Sequence, residues 1–320
     1  MPYELRPLSL AELLDRSFGL YRRHFLLFAG ILALPSLVML VISVGLQFLE
    51  APPSVSPGAP PDPSQMLGAV VWGFAVFAVL MILYWFTYAV ALGASTAAVS
   101  EIYRGKTPTI AESYGAMRGK VGRLAWLLFQ VFVRIVVVML LVMAVAGFFL
   151  GLLSVFSPVL GALAFVVAFC LGGLGVCWVA LRYAVAVPPA VLEDSTALES
   201  IARSVELTRG SLWRVVVLFV FAVVIGYAGL MLTQGPFFVA AIAAGPETTT
   251  GFWLNLCGVI TGSIASILTG PLAVVAMAVL YYDLRIRKEG LDLEIMIADL
   301  RGEPSLPAPP EGGRGLFISG

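Results

Sequence analysis

Charge is what this chain of 320 residues has least of: Asp, Glu, Lys and Arg together make up only 12% of it, against roughly a quarter in soluble globular proteins. With 60% hydrophobic residues and a mean hydropathy of +0.99, a soluble fold is excluded. Acidic and basic residues balance at 19 each, for a formal net charge of zero, so the balance names no nucleic acid and no strongly charged partner. Histidine occurs once, as His24, and the three cysteines, Cys170, Cys177 and Cys257, all lie in apolar stretches. Neither a metal centre nor a disulfide framework is readable from so few ligands, and no cofactor is expected. A Gly-x-Ser-x-Gly elbow, a phosphate loop and a dinucleotide fingerprint are missing as well. No acid–base pair lies within the apolar stretches, so the reading is non-enzymatic.

What the chain does have is long apolar runs. A hydrocarbon core about 30 Å thick takes roughly 20 apolar residues per helical crossing. Windows of that length place spans at Phe25 to Leu49, Leu67 to Val99, Leu124 to Leu150, Pro158 to Leu192, Leu212 to Ala243 and Phe252 to Tyr282. The expected class is all-α: a polytopic bundle of six transmembrane helices. Pro35, Gly93, Pro188, Pro189, Pro236 and Pro271 mark weak points in these rods, and Pro236 is expected to end the fifth crossing early.

Lys and Arg collect on alternate connections. The N-terminal arm carries Arg6, Arg16, Arg22 and Arg23, the second connection Arg104, Lys106, Arg118, Lys120 and Arg123, and the fourth Arg203, Arg209 and Arg214. The C-terminal segment carries Arg285, Arg287, Lys288, Arg301 and Arg314, while Glu50 to Met66, Gly151 to Ser157 and Ala244 to Gly251 carry none. Basic residues beside crossing ends are retained in the cytoplasm, so both termini are expected there. With no cleavable signal pattern, the first span reads as a retained anchor.

The same grammar recurs before the first, third and fifth crossings. Ser9-Leu-Ala-Glu12, Thr109-Ile-Ala-Glu112 and Thr196-Ala-Leu-Glu199 each match the capping box, in which a hydroxyl accepts from an exposed helix N–H and the Glu reaches back to the cap. An aromatic, Phe25, Trp126 or Trp213, follows each at the head of an apolar run. Three units are expected, about 8–102, 108–192 and 195–283, each a cytoplasmic amphipathic surface helix plus a two-crossing hairpin. They lie within one membrane domain, 1–300, with a pseudo-threefold arrangement about the membrane normal as an open alternative. In the first surface helix Leu10, Leu13, Leu14, Phe18, Tyr21 and Phe25 form one face. Leu291 to Leu300 reads as a further amphipathic helix, and 301–320 as a disordered Pro- and Gly-rich tail.

Few side chains are candidates for a site. Arg134 and Arg182 each lie about ten residues inside an apolar span, roughly 15 Å of helical rise, and an intramembrane cation is expensive unless it has a use. Gln130 precedes Arg134 by one turn, Tyr183 adjoins Arg182, and Trp126, Gln130 and Arg134 form one stripe. Two readings are open: the guanidiniums snorkel to headgroups and carbonyls, or they hold an anionic group such as a lipid phosphate or carboxylate in a cleft. In the sixth span Gly258, Gly262, Ser266 and Gly270 recur every four residues, a small-residue seam for close helix packing, within the bundle or in a dimer. Cys170 and Cys177 read as small buried residues in a close-packed stretch. Membrane lipids are the expected partners of a binding or transport module. Other membrane proteins, or a second copy, are the partners of the alternative, an assembly subunit.

Three stretches carry a resemblance: Leu8 to Phe25; Leu181-Arg-Tyr-Ala-Val-Ala-Val-Pro188 leading through Leu198 to Ser204 and Leu207-Thr-Arg-Gly210 to Trp213; and Leu280-Tyr-Tyr-Asp-Leu-Arg-Ile-Arg-Lys-Glu-Gly290. Together they resemble the bacterial family named after the membrane domain of glycerophosphoryl diester phosphodiesterase. The resemblance implies a six-crossing protein of the bacterial plasma (inner) membrane. It does not carry over the enzyme activity, which belongs to a separate soluble barrel domain.

Overall fold

The computed structural model of the chain describes residues 6–50, 63–245 and 248–290, and all regular structure among them is helical. The expected helix at Leu291 to Leu300 and the tail from Arg301 lie outside the described residues. In chain order the helices are α1 (Leu10–Arg23), α2 (Phe25–Glu50), α3 (Pro63–Tyr103), α4 (Ile110–Gly115), α5 (Val121–Ser154), α6 (Pro158–Arg182), α7 (Val187–Leu192), α8 (Ala197–Thr208), α9 (Leu212–Ala244) and α10 (Thr249–Glu289). Six stretches, with α6 and α7 falling in one, are long and apolar enough to cross a membrane. The protein is a multi-pass membrane protein.

All three capping boxes form. The hydroxyls of Ser9, Thr109 and Thr196 accept from the N–H of Glu12, Glu112 and Glu199, and each Glu carboxylate accepts from its cap N–H at 2.8 Å. The helices they start are unequal: α1 has 14 residues and α8 has 12, but α4 has only six. On α1 the expected apolar face is split, with Leu13 and Tyr21 buried while Phe18 is exposed. α1 packs against α10, so the part of its apolar face that carries Leu13 and Tyr21 is covered by protein.

Two spans differ from the sequence reading. The fourth breaks at Arg182, and Val187-Pro-Pro189 opens the separate helix α7, because Pro is tolerated in a first turn but not within a helix. The fifth runs through Pro236 to Ala244; in a membrane helix the freed carbonyl can be satisfied locally. Gly290, in the left-handed conformation that favours glycine, ends α10 and returns its N–H to the Ile286 carbonyl.

The helices pair as hairpins, α2 with α3, α5 with α6 and α9 with α10. The second helix of each hairpin packs against the first of another: α3 on α5, α6 on α9, α10 on α2. α10 also touches α1, α3 and α8. Burial divides the molecule into two layers. From Ala89 to Tyr103 nearly every residue of α3 is buried, as is nearly every residue of α10 from Pro271 to Ile286. Around these two ends α1, α4, α7 and α8 form a compact base in which the Tyr103 and Tyr282 rings stack at 4.9 Å. Small residues make this possible. A Cβ on Gly93 would come within 2.5 Å of the Met117 sulfur and 2.6 Å of Leu124 Cδ1.

Beyond the base the helices expose apolar surface in quantity. The α5–α6 hairpin packs mainly on itself, and Val155 and Phe156 at its tip are 81% and 79% exposed. Such a surface is untenable in water and ordinary in hydrocarbon. The cysteines belong to this layer. Cys170, Cys177 and Cys257 are all exposed, which corrects the expectation that the first two are buried: on a lipid-facing helix, small size does not by itself imply a packed contact.

Candidate functional site

No hydrogen bond or ion pair joins Gln130 and Arg134 to Arg182 and Tyr183 among the described residues. Arg134 donates to the Gln130 carbonyl at 3.2 Å and to its side-chain oxygen at 2.9 Å, so the guanidinium lies back along its own helix toward the base, as helical side-chain direction favours. Arg182 donates to the Val205 carbonyl of α8 at 3.3 Å and lies 5.0 Å from the Trp178 ring. Its Nε is buried and has no partner, while the Arg182 carbonyl accepts from Ser204 at 2.8 Å. Tyr183 caps α6 and packs at the edge of the core. Gln130 and Arg134 are brought together; Arg182 is tied to α8 instead.

Arg182 occupies the last turn of α6, and the apolar stretch continues past it to Leu192. Measured down from the tip of the α5–α6 hairpin, Arg134 and Arg182 lie about 30 Å and about 37 Å away by helical rise. Trp126 does not share their surroundings: it lines an apolar groove between α3 and α5 with Trp85 and Phe132.

The small-residue seam of α10 is resolved within the chain. A Cβ on Gly258 would meet Phe237 at 3.2 Å, and one on Gly262 would meet the Gln234 amide oxygen at 2.8 Å, both on α9, whereas Gly270 faces Leu32 of α2. Ser266 is exposed. A stripe of period four drifts by about 40° per step on a helix of 3.6 residues per turn, so the seam turns from α9 toward α2 and Ser266 falls outside both contacts.

The densest polar chemistry is at the end of α10, where the sequence reading identified a motif but assigned no roles. The Asp283 side chain is fully buried: its carboxylate accepts from the Leu8 N–H at 2.8 Å, from Arg214 at 3.0 Å and from Arg287 at 3.1 Å. Arg214 also donates to the Leu8 carbonyl at 2.9 Å, as does Arg287. The N-terminal segment, α9 and α10 are thus pinned at one carboxylate. One turn around α10, Arg285 meets Glu289 at 3.0 Å and Glu193 at 3.8 Å, Tyr281 donates to Glu193, and Arg203 of α8 bridges Glu193 and Glu289. Lys288 then caps the end of α8, donating to the Glu206 and Arg209 carbonyls at 2.6 and 2.7 Å. Alternating Asp, Arg, Arg and Glu near the end of an apolar helix were the available signal; which partners they meet depends on α1, α7 and α8.

Asp194, in the turn after α7, holds Lys120 at 2.8 Å and Arg123 at 2.7 Å. Hydrogen bonds from Lys120 and then from Arg123 hold its pKa below the ordinary 3.8. A lowered pKa stabilises the fold above the unfolded value and ceases to do so as pH falls through the folded one. Asp194→Asn keeps the residue's tolerance of its positive φ of 50°. The variant should therefore melt below wild type at pH 7, and the gap should close below pH 3.8. Melting curves across that range test this, and a gap independent of pH excludes the charge as its cause. His24, at the α1–α2 junction, has its pKa lowered by partial burial and then by Arg23. Among the described residues no group of three or more His, Cys, Asp or Glu could hold a metal ion.

No curated protein and no solved structure matches the chain. The motif runs from Leu181 to Trp213 and from Leu280 to Gly290 fall inside a stretch that does match a family, whereas Leu8 to Phe25 lies outside it. Residues 159–294, from the start of α6 to just beyond α10, match the family model for the membrane domain of glycerophosphoryl diester phosphodiesterase.

Proposed function

We propose that this chain is a non-enzymatic module of the bacterial inner membrane, with both termini cytoplasmic, that binds the anionic head of a lipid or other amphiphile where its base meets the hydrocarbon. The observation that carries the reading is the state of Arg134 and Arg182. Each has donors to spare and no carboxylate partner among the described residues, and phosphate is the abundant oxyanion that a guanidinium meets at a membrane. The buried carboxylates, by contrast, are engaged by arginines from other elements, which suits a structural role better than acid–base chemistry. The basic connections all lie on the base side, which supports a cytoplasmic base. Three helix-plus-hairpin units are in keeping with the ring of hairpin contacts.

Arg134→Leu/Arg182→Leu should lower the number of phosphatidylglycerols specifically retained in native mass spectrometry while keeping the wild-type melting temperature. Unchanged retention removes the binding reading. The alternative, an assembly subunit for other membrane proteins, then takes its place, since the outer faces of the α5–α6 hairpin are uncovered.

A further inference from the structure

A second lipid contact follows from a different part of the molecule and does not rest on Arg134 or Arg182. Where α3 and α5 diverge above the base they leave a groove of about 750 Å³, lined from α3 by Met81 to Phe86 and from α5 by Gly122 to Phe132. That is within the range of ligand sites, roughly 300–1,000 Å³. The groove is held open by its own rings. The Trp85 indole N–H donates to the Ala125 carbonyl at 3.4 Å, and its ring meets Phe132 edge-on at 5.5 Å. Trp126 and Phe129 stack at 5.4 Å as one wall, and Gly122 and Ala125 contribute little bulk to the floor.

The polar side-chain atoms of the lining are the Tyr84 hydroxyl and two indole nitrogens, of which Trp85's is already bonded. An occupant therefore gains nothing from polar groups inside the groove and a good deal from methylenes against aromatic faces. Ile82, Trp126 and Phe132 are all at least half exposed, so the groove opens sideways into the layer that lipid fills. At its base-side edge, Gly122 follows Arg118 by one turn's worth of chain. Lys120 and Arg123 share the single carboxylate of Asp194; Arg118 is exposed and makes no ion pair among the described residues. This edge is net positive. We propose that the α3–α5 groove seats one acyl chain of an anionic phospholipid from the base-side leaflet, with its headgroup over Arg118.

The test uses the full chain, purified in mild detergent and offered phosphatidylglycerol or phosphatidylcholine in native mass spectrometry. Wild type should retain two phosphatidylglycerols, and Trp126→Ala/Phe129→Ala, which alters only half-exposed side chains, should retain one. Arg134→Leu/Arg182→Leu should keep the groove lipid, so failure at one site is distinguishable from failure at the other. Arg118→Glu should reduce the preference for phosphatidylglycerol over phosphatidylcholine by on the order of tenfold, the scale of one lost charge contact. A measurement that needs no variant is quenching of tryptophan fluorescence by mid-chain brominated lipids: brominated phosphatidylglycerol should quench more than brominated phosphatidylcholine at equal mole fraction. Equal quenching by the two lipids, or wild-type retention in the Trp126/Phe129 variant, overturns the proposal.

Discussion

Asp283→Asn should destabilise the protein by about 3 kcal/mol and release its N-terminal segment. The wild-type carboxylate is the common acceptor for the Leu8 N–H, Arg214 and Arg287. Asparagine can keep one acceptor but turns an NH2 toward a guanidinium and leaves two arginines without their counter-charge. Breaking a buried pair from one side costs about 3–5 kcal/mol. The lower end applies because Arg214 and Arg287 reach solvent, at 21% and 31% side-chain exposure, although Asp283 does not. Thermal unfolding in detergent measures the loss, and hydrogen exchange at the Leu8 amide localises it. A variant that melts like wild type with Leu8 still protected would mean that the N-terminal segment is held by its side chain alone, through the 3%-exposed Leu8.

The second large effect is steric. A Cβ on Gly172 would sit 1.8 Å from Val142 Cγ1 and 2.8 Å from Val142 Cβ, and a β-branched side chain cannot swing away as a long one could. Gly172→Ala should therefore force α5 and α6 apart and cost about 1–3 kcal/mol, the usual range for overpacking. Val142→Ala in the same chain should restore most of it. Gly173→Ala and Gly175→Ala are the internal controls. A Cβ at either meets nothing within 4 Å, and alanine favours the helix by roughly 1 kcal/mol over glycine, so neither should lower the melting temperature. If all three variants behave alike, the α5–α6 contact is looser than this geometry requires.

Those three glycines also mark the limit of what the chain reveals in one dimension. Cys170-Leu-Gly-Gly-Leu-Gly-Val-Cys177 reads as a close-packed stretch, yet of its three glycines only Gly172 would crowd a neighbour with an added Cβ, and both cysteines are exposed. A small residue is compatible with close approach but does not compel it. Arg182 illustrates the same point for depth. Apolar residues continue past it to Leu192, so a hydropathy window cannot see that the helix stops; the stop comes at Tyr183 to Ala186, and two prolines open the next helix. The groove was invisible for a different reason. Trp126 belongs to the same helical stripe as Gln130 and Arg134, but only the position of α3 decides that its ring faces Trp85 and Phe132.

By itself the sequence determined the helical membrane class, six crossings and three capping boxes. Each follows from local physics: hydrocarbon demands runs of a set length with internally paired backbone, and a cap needs only its own turn. The tertiary structure alone decided which charges are spent and which are left over. Asp283, Glu193 and Asp194 neutralise Arg214, Arg285, Arg203, Lys120 and Arg123 across elements far apart in the chain, while Arg118, Arg134 and Arg182 find no carboxylate among the described residues. Pairing is set by separation in space, because Coulomb attraction and hydrogen bonding act over a few ångströms.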